Sequence, residues 1–187
     1  EDYPDDPFPV VETELGRLGV ATCYDWLFPE VTRELALKGC EVLIRISAYM
    51  DPWGATPPMD WWTVINRARA IENTAYVLAC NQAASLSHYP PFSWPGGSMA
   101  VDYDGRILAE APPGSGEKIV VAPIAIDVLR EERARRQGHA MASHLRSELY
   151  TEQRKPRLPR GPHPDQRSLE GNLARIATGR QEGGSSS

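Results

Sequence analysis

The sequence predicts a layered α/β domain, and three observations carry that expectation. Short apolar runs alternate with helical stretches in the order strand, helix, strand, helix, strand. A segment of alternating residues around Asp104-Gly105 follows them, which is how a β-hairpin reads in sequence. The chain has 187 residues, 41% of them hydrophobic, enough for one globular core of ordinary size.

Taken in order, residues 1–14 read as an extended entry segment punctuated by proline. Leu18 to Thr22 form a short strand of small residues that ends at Cys23. Phe28-Pro29-Glu30 opens a helix, because proline suits a first turn and a carboxylate suits the positive end of the dipole. Val31, Leu35 and Leu37 form its apolar side, and Gly39 stops it. Glu41 to Ser47 is a second strand, apolar enough to be buried. The loop "AYMDPWGATPPMD" carries aromatics among breakers and precedes a helix over Trp61 to Asn73, with Trp62, Ile65 and Arg69 on one side. "AYVLACN" is a third strand, and "SLSHYPPFSWPGG" is a second aromatic loop. "SMAVDYDGRILAEA" is the hairpin, expected to turn on the two residues Asp104-Gly105. "KIVVAPIAI" reads as a further strand and Asp127 to Gln137 as a charged surface helix. From Thr151 onward apolar content collapses, so residues 1–150 form the domain and 151–187 an extended or disordered tail.

Bulk properties exclude several classes. A net charge of −5 offers no broad basic surface for nucleic acid. No apolar run approaches the roughly 18–20 residues needed to span a bilayer. The opening residues Glu1 to Asp6 are acidic and proline-bearing, unlike a signal peptide. Cys23, Cys40 and Cys80 are widely spaced, with no CxxC pair. They predict neither a metal site nor a disulfide framework and fit a reducing, cytoplasmic setting.

A cysteine at the carboxyl end of a strand, just ahead of a helix, gains a positive helix end and free backbone N–H groups for an oxyanion. Both serve acyl transfer to sulfur. The competing reading is a small buried filler, which is how Cys40 and Cys80 read. A Cys-His hydrolase is a second possibility, with His88, His139, His144 and His163 as its candidates.

Several blocks together resemble the nitrilase superfamily, the carbon–nitrogen hydrolases. "GRLGV" at residues 16–20, Cys23-Tyr24-Asp25 and Phe28-Pro29-Glu30 are similar to its nucleophile block, which Arg33, Leu35, Ala36, Leu37 and Gly39 continue. "GCEVLIRISAY" resembles the strand and pocket loop that follow, and "RARAIENTAYVLACNQ" the second strong block. "GGSMAVDYDGRILAEA" resembles the family hairpin, and Arg146 with Glu148-Leu149-Tyr150 its closing segment. The likeness spans residues 10–150 in order.

The resemblance implies a four-layer α-β-β-α sandwich and a Cys-Glu-Lys triad without cofactor or metal. It makes Cys23 the nucleophile and places the Tyr24 N–H at the oxyanion. Ser47, Ala48, Tyr49 and Trp53 fall in the pocket loop, with Trp94 and His88 shaping the pocket if their loops reach it. It implies a small amide or nitrile as substrate. The family's Glu and Lys lie upstream of the nucleophile, where this sequence has only 22 residues and no lysine; Lys38, Lys118 and Lys155 all follow it. The sandwich is therefore expected to be incomplete at its N-terminus and to need a complementing N-terminal segment or subunit. The helices Pro29–Lys38 and Trp61–Asn73 would form a dimer face in a homo-oligomer, and the tail resembles arms laid across neighbouring subunits. The alternative is a non-catalytic nitrilase-like scaffold or binding subunit.

Overall fold

Residues 5–84, 94–136 and 141–154 are described by a computed structural model. Residues 5–145 belong to one compact unit. The described part of the other unit, residues 146–154, holds the short 3-10 turns Ser147–Leu149 and Thr151–Arg154. The rest of the tail, with His88, His139 and His163, lies outside the described residues.

The first unit is built on a six-stranded sheet in simple sequence order: β1 (Val10–Thr13), β2 (Gly16–Thr22), β3 (Val42–Ser47), β4 (Tyr76–Asn81), β5 (Met99–Val101) and β6 (Ile107–Glu110). Strands β2, β3 and β4 run parallel, and antiparallel neighbours flank them on both sides. The parallel pairs are joined through α1 (Pro29–Leu37) and α2 (Trp61–Asn73), as parallel neighbours require. The third helix, α3 (Ile126–Arg135), follows the hairpin.

The two faces of the sheet differ. One buries Ala21, Leu43, Val77, Ala79, Met99 and Val101 against Trp26, Leu35, Trp62 and Ala70 from the α1 and α2 side. Fully buried side chains of this kind each contribute about 1.5–3 kcal/mol. Gly19 lets α1 come close, since a Cβ there would meet Cys40 Sγ at 2.9 Å and Leu35 Cδ2 at 3.2 Å. The opposite face is covered at one end, where Leu129 of α3 packs on Val42 and Tyr76. Arg130 of α3 binds the buried Glu41 carboxylate through Nε at 2.6 Å and Nη2 at 3.1 Å. Arg133 donates to the carbonyls of Thr74 at 2.8 Å and Cys40 at 2.7 Å. These anchors open or precede β3 and β4, so α3 caps the amino ends. Toward the carboxyl ends Val20 and Ile46 stay 50% and 55% exposed, and Cys80 is exposed beside them.

Four expectations need correction. "KIVVAPIAI" is not a strand: residues 118–125 run without a ladder partner among the described residues, and Ile119 and Val121 are exposed. Apolar alternation makes a segment fit for a strand, but a strand exists only when a neighbour takes its hydrogen bonds. Cys80 is no filler, because the strand that holds it has one uncovered face. Leu37 points outward, and α1 buries Thr32 and Leu35 instead. The hairpin closes on three residues, with Asp102 N–H donating to Arg106 O at 2.8 Å and Gly105, at φ +79°, taking the left-handed position. The Asp102 carboxylate draws the turn inward by accepting from the N–H groups of Asp104 and Arg106 and from Arg106 Nε.

Candidate active site

The register of the parallel strands sets the site. Thr22 pairs with Ile46 and Ile46 with Cys80, while Ser47 pairs with Asn81. The carboxyl edge of the sheet therefore carries Cys23, Ser47 and Asn81 side by side, at the end of parallel strands where open α/β sheets place their ligands.

Cys23 starts a 3-10 turn, Cys23–Leu27, directly after β2. Its backbone is left-handed, φ +46°, a conformation that a residue with a side chain adopts only under local constraint. The constraint is visible on every side. Asp25 accepts from the Thr22 N–H at 3.2 Å, and Trp26, fully buried, donates from Nε1 to Ala21 O at 3.0 Å. Arg69 of α2 donates to Trp26 O from Nε at 3.1 Å and Nη2 at 2.9 Å, and to Leu27 O at 3.2 Å. Glu72 holds Arg69 in turn, at 3.0 Å. Arg45 of β3 donates to Cys23 O at 3.4 Å.

Cys23 itself is partly exposed, and among the described residues its sulfur has no hydrogen-bond partner. Cys40 contrasts with it: sealed between Gly19 and α1, its thiol is pushed up to about 11 by burial. Tyr24 sits in the first turn, where leading N–H groups have no intrahelical acceptor. Its ring is exposed and packs edge-on against Phe28.

The loop after β3 is held by residues that sequence reasoning did not single out. Asn81 Oδ1 accepts from Tyr49 N–H at 2.7 Å, and its Nδ2 donates to Tyr49 O at 3.1 Å and Gly96 O at 2.8 Å. Tyr49 is buried and donates its hydroxyl to Trp53 O at 3.0 Å, so it serves as the loop's own core. Trp53 is half exposed, Ala48 is exposed and Ser47 is half-buried. Trp94 is half-buried, and His144 is exposed. A cavity of about 600 Å³ lies beside Cys80 and Asn81, reaching Ser98, Glu117 and Lys118, and Cys23 is not among its walls.

Behind this edge, on the helix face, lies Arg45, with no exposed surface. Its guanidinium sits 4.3 Å from the Trp62 ring centre, 5.2 Å from Tyr49 and 5.5 Å from Trp26. Nη1 donates to Asn66 Oδ1 at 2.9 Å. Burial pushes Arg45 down to about 10, partly offset by Tyr49 and Cys23 nearby, with Arg69 adding to the lowering. Arg45 Nε, Asn66 Nδ2 and Ser47 Oγ are buried without a partner among the described residues. Only "charged residue inside an apolar strand" marks Arg45 in the sequence.

No group of three metal-ligating side chains comes together among the described residues. No helix among them is long and apolar enough to cross a membrane.

Residues 3–134 match the carbon–nitrogen hydrolase family. A formamidase from Bradyrhizobium sp. is 36% identical over 129 residues, 67% of this chain and 35% of that protein. The omega-amidase Nit3 of Saccharomyces cerevisiae is 33% identical over 150 residues, 80% of this chain and 47% of its own length. The crystal structure of Nit3 superposes with a TM-score of 0.60, covering 72% of this chain and 47% of that one. At 21% identity the fold is also shared, with a TM-score of 0.61 over 80% of this chain and 48% of the other, with an amidase from Nesterenkonia sp. AN1. That amidase was captured with the acetamide moiety of fluoroacetamide added covalently at its active-site cysteine. The chain thus spans less than half the length of the curated relatives it matches, 35% and 47% of these two.

Proposed function

Because this chain belongs to the carbon–nitrogen hydrolase family of the nitrilase superfamily, we propose that Cys23 is the nucleophile of an amide- or nitrile-hydrolysing enzyme. The observation that carries this reading is the constrained left-handed turn that sets a partly exposed thiol at the carboxyl edge of the parallel strands. On an amide, sulfur attacks the carbonyl carbon and the carbonyl electron pair moves to oxygen, to which the Tyr24 N–H would donate. Collapse breaks the C–N bond and ammonia departs with a delivered proton, leaving a thioester. Water then adds to the thioester carbon, the C–S bond breaks and the acid leaves. Ser47, Ala48, Tyr49 and Trp53 would frame the substrate.

Two proton-handling groups are needed, and among the described residues no Glu or Lys makes a hydrogen bond or ion pair with Cys23. A complementing N-terminal segment or partner chain would supply both and cover the apolar carboxyl half of the open face, where Val20 and Ile46 are exposed. The unpaired stretch 118–125 is a ready edge for one of its strands. The same missing groups favour a second reading, a non-catalytic scaffold.

The test compares iodoacetamide labelling at each cysteine, by peptide mass, with ammonia release from a panel of primary amides and nitriles. Cys23 is expected to outrun the exposed Cys80, and any ammonia release to vanish in Cys23→Ala. Labelling of Cys23 no faster than Cys80, or turnover that survives the substitution, overturns the nucleophile. Fast labelling without turnover in the isolated chain supports the need for the complementing segment.

A further inference from the structure

We propose that Arg45 is a positioning residue for Cys23: its buried guanidinium holds the Cys23 carbonyl, and its uncompensated positive charge acts on whatever approaches the sulfur. This rests on reading Cys23 as the nucleophile, but its test does not need turnover.

Three observations converge. Arg45 is the charged side chain on the inward face of β3, wholly buried, yet among the described residues it has no carboxylate partner. A buried cation without a counter-ion is costly, and chains keep such groups where paired water or fixed dipoles offset the cost. Here the offset comes from the faces of Trp26, Tyr49 and Trp62 and from Asn66 Oδ1. Among the described residues the one backbone group it grips is the carbonyl of Cys23, whose own backbone is left-handed. A hydrophobic residue would fill that volume at less cost but would leave the carbonyl unheld and the charge absent.

Other charges near the turn do not cancel it. Arg69, on α2, is paired with Glu72 and spends its donors on Trp26 O and Leu27 O. Asp25 is exposed and engaged with the Thr22 N–H. Tyr49 is a neutral phenol, held that way by burial that raises it further. The field at Cys23 from the described residues on this side is therefore positive, which favours a developing oxyanion and an anionic reagent alike.

That asymmetry is measurable. Cys23 labelling by anionic iodoacetate and neutral iodoacetamide is followed at neutral pH, and the ratio of the two rates is taken. A purely structural defect slows both reagents together; a change of charge moves the ratio. The decisive variant is Asn66→Asp, which turns Nδ2, a buried donor without partner among the described residues, into an oxygen and makes the group that Arg45 Nη1 already touches a carboxylate. It keeps shape and supplies the counter-ion. The ratio is expected to fall about threefold or more, as for a unit charge roughly 6 Å away screened as in bulk water, dielectric about 80. The thermal midpoint is expected to hold or rise. Arg45→Met is expected to lower the ratio and Arg45→Lys to keep it within about twofold. An Asn66→Asp chain that folds with an unchanged ratio overturns the inference, as does one that no longer folds, since a counter-ion must not harm an uncompensated cation. If Arg45→Met fails to fold, Asn66→Asp carries the test alone. Slow labelling of Cys23 relative to Cys80 in the wild type would instead sink the nucleophile reading.

Discussion

Asn81 is a single side chain on which two segments of the candidate site depend. It ends β4, faces inward and binds both backbone groups of Tyr49 together with Gly96 O. Asn81→Ala would leave a buried Tyr49 N–H and two carbonyls unpaired, at a cost of about 1–3 kcal/mol for each buried group that stays unsatisfied. We expect a loss of about 2–4 kcal/mol in urea unfolding. Asn81→Asp is expected to be no better, because a carboxylate accepts from the Tyr49 N–H but cannot donate to either carbonyl. Rescue of stability by aspartate would show that the amide's donors are idle. This role was not legible in the sequence. An asparagine at the end of an apolar strand reads as a turn residue, and only the register beside Ser47 reveals what it clamps. The place of Cys23 was legible because strand end and turn start coincide within a few adjacent positions, whereas Arg45, Asn66 and Arg69 reach their partners across 21 to 43 residues of chain.

At the scale of elements, the alternation of strand and helix was readable because each parallel strand is a short apolar run with its crossover beside it in sequence. The helix Trp61–Asn73 is realised over the residues expected, yet its buried stripe includes Asn66, Arg69 and Asn73. A hydropathy pattern cannot see polar groups that are buried because they are paired. The failed strand at 118–125 has the opposite cause: its local signal is sound, and among the described residues no strand pairs with it. Two predictions test how the helices are held. Gly19→Ala would push a methyl to 2.9 Å from Cys40 Sγ and into Leu35, both buried. A destabilisation of about 1–3 kcal/mol is expected, with the Cys40 thiol becoming accessible to labelling as α1 shifts. The second concerns α3, anchored by Glu41, whose carboxyl is held below its ordinary 4.5 by Arg130, with the Arg17 N–H assisting and burial opposing. A depressed carboxyl stabilises the fold above the unfolded value and loses that contribution as pH falls through the folded one. The thermal midpoint of the wild type should therefore drop below about pH 4.5 more steeply than that of Glu41→Gln, which is already lower at neutral pH. Parallel pH curves would rule out the anchor.

The whole molecule shows an imbalance that no single element explains. One face of its sheet is closed by two helices and an aromatic core, while among the described residues the other is covered by α3 at the amino ends. On the uncovered half Val20 and Ile46 face outward from adjacent parallel strands, with Ile119 and Val121 exposed on the unpaired stretch at 91% and 82%. Apolar surface of this kind on a sheet, next to backbone without a ladder, is the surface that the proposed complementing segment would cover. The N-terminal segment proposed above, carrying a Glu and a Lys, would cover the apolar face, pair the stretch without a ladder and serve Cys23 in its proposed role together. An apolar face open in this way should be detectable in the isolated chain by dye binding. The chain is expected to enhance 8-anilinonaphthalene-1-sulfonate fluorescence in native buffer, and Val20→Glu with Ile46→Glu to abolish most of that signal. Because both side chains point away from the α1–α2 core, the pair should change unfolding by less than about 1 kcal/mol, as for substitutions outside a packed interior. Undiminished dye binding in the double variant would place the sticky surface elsewhere. A large loss of stability would mean that this face is already packed in the chain as it stands, and the complementing segment would lose its place to dock.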